Sequence, residues 1–299
     1  MKYIIVSTAV TDETYQHGSL EPTVSLGGAG IYALAGVKIW TDEVILVTGV
    51  GSDFNRLHGK WFEDNQIITD HLFIKHEETP KTLVNYFEGG ERKETPIFGN
   101  EHYRTMEATI DEIKRATHPE VKGIYIFKEA DLEFWKAVLE IRKATGFKLM
   151  WEINANSANH SQIDNVKTIA EEIDIFSINI SEAKTLLIKN DISDIISELF
   201  LWTTPFIFLR DGANGAYMIY GDEYVHISSV EQVNVVDATG GGNSSSAGVL
   251  YGLCEGFSAY EAGIIGSISA SICIQQEGVP ANLDYEVRKH ANELLKNMR

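Results

Sequence analysis

Basic side chains are scarce: 25 lysines and arginines stand against 43 aspartates and glutamates, a formal net charge of −18. A polyanionic partner needs a clustered basic face, and no such cluster occurs, which argues against nucleic acid as a ligand. Cysteine is scarcer still. Cys254 and Cys273 are too few for a disulfide framework and lack metal-like spacing. The histidines show no His-Glu-x-x-His pairing, so His71, His76 and His160 read as surface or hydrogen-bonded structural residues. Long apolar runs are missing, and the longest uncharged stretches are rich in Gly and Ser. None approaches the roughly 18 consecutive apolar residues of a membrane span. The apolar stretch Tyr3–Val10 runs into Thr11-Asp12-Glu13 with no small-residue cleavage site, so it reads as a first core strand rather than a signal segment. These absences predict a soluble, cytoplasmic protein with no nucleic-acid and no membrane partner.

What is present can build a large core. Hydrophobic residues make up 44% of the 299 positions and prolines number only six, which excludes a disordered or fibrous chain. Short β-branched runs recur at Tyr3–Val10, Val44–Val50, Gly123–Phe127, Leu149–Ile153, Ile175–Ile180 and Phe206–Leu209. Helix-like stretches near 131–144, 161–172 and 182–201 separate the last four. This alternation predicts parallel strands joined by crossover helices, an α/β fold. Ser258-Ala259-Tyr260-Glu261 is a capping box opening a helix that runs to about Gln275, and Gly256 ends the helix before it. Residues 71–98 break the pattern: Leu72–Lys75 and Thr82–Phe87 read as strands, with a turn at Glu88-Gly89-Gly90-Glu91. With about 13–25 they predict a small antiparallel sheet inserted in a single domain spanning 1–299. Such a sheet needs its apolar face covered, as a lid over a cleft or through a homodimer contact.

Two glycine clusters carry the chemical signal. In Asn234–Gly248, a short apolar run reaches Asp237 and Thr239, passes through Gly240, Gly241 and Gly242, and enters a helix at Asn243. Glycines free the backbone to turn several N–H groups toward one point, and the helix N-terminus adds partial positive charge. The result suits a transferring phosphoryl group. No Gly-x-x-x-x-Gly-Lys-Ser/Thr occurs, and Gly-Asn-Ser-Ser-Ser lacks the second glycine of a nucleophile elbow. The other cluster, Gly27-Gly28-Ala29-Gly30, formally opens a dinucleotide fingerprint through Gly28, Gly30 and Ala33. The preceding strand, however, ends about 16 residues earlier and the next one reaches no acid, so the alternative is a backbone wall against a polar small molecule.

In their order, these segments resemble the ribokinase/PfkB carbohydrate kinase family over nearly the whole chain. The resemblance implies a three-layer α/β/α core with a mainly parallel sheet, a small β lid, and ATP- and Mg²⁺-dependent phosphorylation of a hydroxyl on a sugar, polyol or nucleoside. By that likeness Asp12, Gly27, Gly28 and Asn154 take the acceptor. Asn179, Gly212, Gly215, Asp237 and Thr239 lie along the nucleotide, and Glu182 organises the waters of Mg²⁺; Arg210, read from its charge alone, is a further candidate for phosphate contact in the cofactor site. Gly240, Gly241, Gly242 and Asn243 align with the signature motif, whose last residue in the family is an aspartate that takes the acceptor's proton. Val50-Gly51-Ser52-Asp53-Phe54 resembles a further family segment. Here Asn243 supplies a carboxamide, which orients a hydroxyl but cannot accept a proton. Ala238 and Glu152-Ile153-Asn154 depart from the family pattern too, marking a divergent branch. Three readings follow: a kinase using another carboxylate or a water as base, a non-catalytic nucleotide- or sugar-binding relative, and a dehydrogenase using Gly28–Ala33.

Overall fold

A computed structural model describes residues 1–15, 17–87 and 92–299. The strands are β1 Tyr3–Val6, β2 Val10–Tyr15, β3 Thr23–Gly27, β4 Val44–Gly51, β5 Leu72–His76, β6 Lys81–Tyr86 and β7 Arg92–Pro96. They continue with β8 Gly123–Lys128, β9 Lys148–Ile153, β10 Ile175–Asn179, β11 Phe206–Arg210, β12 Ala216–Tyr220 and β13 Glu223–Ile227. The helices are α1 Ala29–Lys38, α2 Phe54–Asp64, α3 Gly99–Met106, α4 Ile110–Ala116, α5 Leu132–Thr145 and α6 Ile163–Ala170. The remaining ones are α7 Ile180–Leu187, α8 Ile192–Leu199, α9 Gly241–Cys254, α10 Ala259–Cys273 and α11 Tyr285–Met298.

A nine-stranded sheet runs in the order β13-β12-β11-β10-β9-β8-β1-β4-β5. Its strands from β11 to β5 are parallel, and β12 and β13 add an antiparallel edge. The parallel strands are apolar on both faces, as a sheet covered on both sides requires. In β1, Tyr3 and Ile5 pack toward α1, α2 and α9–α11, whereas Ile4 and Val6 pack toward α4–α8. Trp135, Trp151, Phe176 and Trp202 form a tilted aromatic row on the second face, with ring centroids 5.0, 5.2 and 5.6 Å apart.

Four further strands, β3-β2-β6-β7, make a second sheet. Leu72–Lys75 does not belong to it, contrary to the pattern's prediction; β5 extends the large sheet beside β4. Tyr3–Val10 is likewise two strands. The chain leaves the large sheet after Val6 and enters the small one at Val10, where it pairs with β3 and β6. The long helix expected over 182–201 divides into α7 and α8, because Ile188 turns left-handed at φ 52°. The turn expected at Glu88-Gly89-Gly90-Glu91 lies outside the described residues. The capping box at Ser258 forms with Glu261, and Gly256 turns left-handed just after α9.

Two polar contacts pin the base of the small sheet. Asp53 Oδ1 accepts from the Thr79 N–H at 2.8 Å and from its hydroxyl at 2.6 Å, just before β6. His58 Nε2 lies 2.7 Å from the Thr11 hydroxyl of β2, and burial pushes its pKa down to about 4. An unfolded histidine takes up its proton below about pH 6.5, the folded one only below about 4, so acid favours the unfolded chain across that window. Stability measured by urea unfolding should therefore fall as pH drops from about 6.5 to about 4. His58→Gln should flatten this part of the profile; an unchanged acid slope would assign it to other groups.

Candidate active site

A cleft of about 680 Å³ opens between the small sheet and the ends of the core strands. It gathers Asp12, Thr14, Ser25 and Thr82 from the small sheet, Gly28 and Tyr32 from the start of α1, Asn154 after β9, and Asp237, Thr239, Gly240 and Asn243 from the α9 approach. Of the predicted residues, Asp12, Gly28, Asn154, Asp237, Thr239, Gly240 and Asn243 thus face one space.

The α9 turn is built as its glycines suggest. Gly240 is the N-cap at φ 75°, and a Cβ there would lie 2.0 Å from the buried Tyr32 ring. Asp237 Oδ1 accepts from the Thr239 N–H and hydroxyl at 2.9 and 2.6 Å, closing the turn. The N–H groups of Gly242 and Asn243 meet no partner among the described residues, as the first turn of a helix allows. Such amides at a helix N-terminus suit an anion, and of the two residues Asn243 lines the cleft. Gly242 is glycine for a different reason: a Cβ would stand 2.1 Å from Arg210 Nη1. Gly241 packs beneath, toward Ile274.

On the opposite wall, Gly27 leaves room for the Asp12 carboxylate, since a Cβ would lie 1.9 Å from its Oδ2. Gly28 turns at φ 100° against the Thr8 carbonyl. Gly27 thus makes room for a side chain that lines the cleft, while Gly28 lines the cleft itself and lets backbone pass close to backbone. Asn154 Oδ1 accepts from the Ser157 N–H at 3.1 Å, which leaves its amide nitrogen as the donor at the cleft.

Beneath the cleft lies a buried polar cluster. Glu152, 2% exposed, takes a hydrogen bond from Asn243 Nδ2 to Oε1 at 3.1 Å and one from the Tyr125 hydroxyl to Oε2 at 2.8 Å. Arg210 Nη1 pairs with Glu152 Oε1 at 3.0 Å, while its Nη2 stands 3.7 Å from Glu182. Asn243 Nδ2 also reaches the Tyr125 oxygen at 3.2 Å. Burial raises the pKa of Glu182, opposed by Arg210, and burial raises that of Tyr125 further, reinforced by Glu152. Asn179 and Glu182 form a capping box at the start of α7, with hydrogen bonds of 2.8 and 2.9 Å. Asn179, Glu182 and Arg210 therefore sit together, one layer behind Asn243.

Gly212 and Gly215 do not line the cleft; they turn the β11–β12 hairpin, where a Cβ on Gly215 would strike the Ile227 carbonyl at 2.0 Å. The pattern reading passed over Glu152 and Tyr125 as site residues. The available signal was an acid inside the apolar run Leu149-Met150-Trp151-Glu152-Ile153, which demands a partner when buried. The dinucleotide fingerprint also changes. A strand, β3, directly precedes Gly28, but it belongs to the small sheet and runs antiparallel to β2, so no βαβ unit forms.

Residues 5–284 match the pfkB family carbohydrate kinases, and the chain belongs to that family. An uncharacterized protein of Schizosaccharomyces pombe is 24% identical over 94% of this chain and 86% of its own length. A nucleoside kinase of Methanocaldococcus jannaschii is 23% identical over 86% of this chain and 82% of its own. Arabidopsis thaliana ribokinase, solved with ribose and ATP, superposes with a TM-score of 0.77 at 17% identity, covering 98% of each chain. The architecture is accordingly the ribokinase-like α/β fold, a large mostly parallel sheet with a small separate one. No helix among the described residues is long and apolar enough to cross a membrane.

Gly240→Ala forces a Cβ into a left-handed position already filled by the Tyr32 ring. It should cost about 2 kcal/mol or more in denaturant unfolding. A variant as stable as the parent would show that Tyr32 moves aside freely.

Proposed function

We propose that the protein transfers the γ-phosphoryl group of ATP to a hydroxyl of a sugar or related polyol or nucleoside. The observation that carries this reading is the first turn of α9. Its Gly240 and Asn243 line the same cleft as Asp12 of the small sheet, and the Asn243 N–H meets no partner among the described residues, with membership of the carbohydrate kinase family behind it. Asp12 would hold acceptor hydroxyls by charge-assisted hydrogen bonds, and Asn154 would donate one from its amide nitrogen. The α9 amides would stabilise charge on the transferring group, which spreads over its equatorial oxygens.

Asn243 would align the attacking hydroxyl by accepting its hydrogen bond. The proton would leave to water or to Asp237, which lines the cleft. The nucleotide would extend past Thr239 toward the Asn179–Arg210 region and the Gly212–Gly215 turn. Mg²⁺ commonly uses one or two carboxylates together with phosphate oxygens and water. The half-buried Glu182 carboxylate offers hard oxygen of that kind, although one of its atoms already accepts the Asn179 N–H. Among the described residues no set of three metal-binding side chains stands together, so Glu182 would act through water. Bound Mg²⁺ supplies neutralisation of phosphate charge. A second reading, a nucleotide- or sugar-binding relative without turnover, draws on the amide at position 243.

With ATP and Mg²⁺, a panel of sugars and nucleosides should yield ADP and a phosphorylated product, abolished by EDTA. Asp12→Ala should lower kcat/KM for the acceptor about 10- to 100-fold. Ligand binding by calorimetry with no product for any acceptor would favour the second reading; neither binding nor product would remove both.

A further inference from the structure

We infer that Glu152 is the positioning residue for Asn243, and that the negative charge at this level of the site belongs to residue 152, not to residue 243. The Tyr125 hydroxyl has one proton and spends it on Glu152 Oε2 at 2.8 Å, so toward Asn243 its oxygen can only accept. Glu152 Oε1, held by Arg210, can only accept as well. Both groups facing the inner end of the Asn243 side chain are thus acceptors, at 3.1 and 3.2 Å, and only the NH₂ end of an amide satisfies them. The carbonyl end is left for the cleft, where Asn243 forms part of the wall. Asn243 therefore offers a fixed hydrogen-bond acceptor and is more than a shape relic of a lost acid.

The same wiring decides what an aspartate would do here. Arg210 is one cation between two carboxylates, Glu152 and Glu182. An aspartate at 243 would set a further carboxylate about as close to Glu152 as the amide now lies, facing two oxygen acceptors with no proton to bind. Like charges that close share a proton, raising one pKa. Asn243→Asp alone would then not create a free base. Pairing it with Glu152→Gln reverses the wiring: the amide introduced at position 152 donates to the Tyr125 oxygen, and the Tyr125 proton turns to the carboxylate introduced at position 243.

Thermal melting of N243D, E152Q and the double variant, from about pH 5.5 to about pH 8.5, tests this without any requirement for turnover. N243D should lose about 3 to 8 °C at the alkaline end and less at the acid end. The sign follows from a folded-state pKa raised above the unfolded value of about 4: the folded form keeps its proton longer, so stability drops as pH rises through that interval. The double variant should recover at least half of the loss. If N243D does not fold, a folded double variant supports the assignment and an unfolded one overturns it. A loss below about 2 °C at the alkaline end, or a double variant no better than N243D, also overturns it.

The catalytic consequence rests on the kinase reading. Where turnover is found, E152Q should lower kcat with the KM for ATP unchanged, and the double variant should exceed N243D in kcat/KM by about tenfold or more. A kcat of E152Q equal to the parent's would overturn the positioning role. Absence of turnover in every form would count against the kinase reading alone, leaving the melting result to decide the pairing.

Discussion

Arg210 and Glu152 make the contact on which the site depends. A guanidinium against the first turn of a helix meets the positive end of the helix dipole and would be repelled from it. Glu152 counters that repulsion from 3.0 Å away, and Glu182 adds a weaker attraction from 3.7 Å. Two sequence features follow. A Cβ at Gly242 would displace Nη1 and disturb its pairing with Glu152. Asn243, one residue on, meets a carboxylate rather than a cation and accordingly presents NH₂ to it. The ends of β9, β10 and β11 are thereby tied to the start of α9 by charge, and the cleft floor is a consequence of that tie.

The crossover core was legible in the chain because its strands are apolar on both faces and its helices are amphipathic. Periodicity, however, does not name a strand's partner. Leu72–His76 has the composition of either sheet, and only its register beside Thr48–Gly51 places it in the large one. The break at Ser7–Ala9 was hidden for a similar reason: Val6 and Val10 continue one apolar run while pairing in different sheets. In the site, the residues legible in sequence were those with conformational signatures, such as Gly240 and Asp237, or with a short local pattern, such as Asn179 and Glu182. Tyr125 and Glu152 come from adjacent strands distant from α9 in sequence, and no local spacing links them to Asn243.

The amide at position 243 changes how the reaction must be divided if phosphoryl transfer occurs here. Such transfer passes through a loose transition state in which the acceptor proton departs with little driving demand, so positioning and charge stabilisation supply most of the rate. A positioned base typically contributes about 10²- to 10⁴-fold. In the proposed reaction its absence would leave alignment by Asn243 and electrostatic stabilisation by the α9 amides intact. The net charge of −18 is compatible with this division. An anion site made of backbone N–H groups contributes nothing to a count of lysines and arginines, so an acidic global charge does not speak against a phosphate ligand.

The Asp12 side of the cleft is positioned by covalent continuity as much as by contacts. Asp12 lies in β2, only a few residues beyond the end of β1 in the large sheet. His58 grips Thr11 from α2, and Asp53, just before the same helix, grips Thr79 where β6 begins. Both central strands of the small sheet therefore leave the core at points tied to one helix. A shift of α2 would carry Asp12 and Thr82, partners across β2 and β6, in the same direction. The Asp12 side of the cleft is thus braced as one unit, apart from the start of α9, which Arg210 and Glu152 hold. The two sides of the cleft thus have separate supports, the small sheet through α2 and the start of α9 through Arg210 and Glu152.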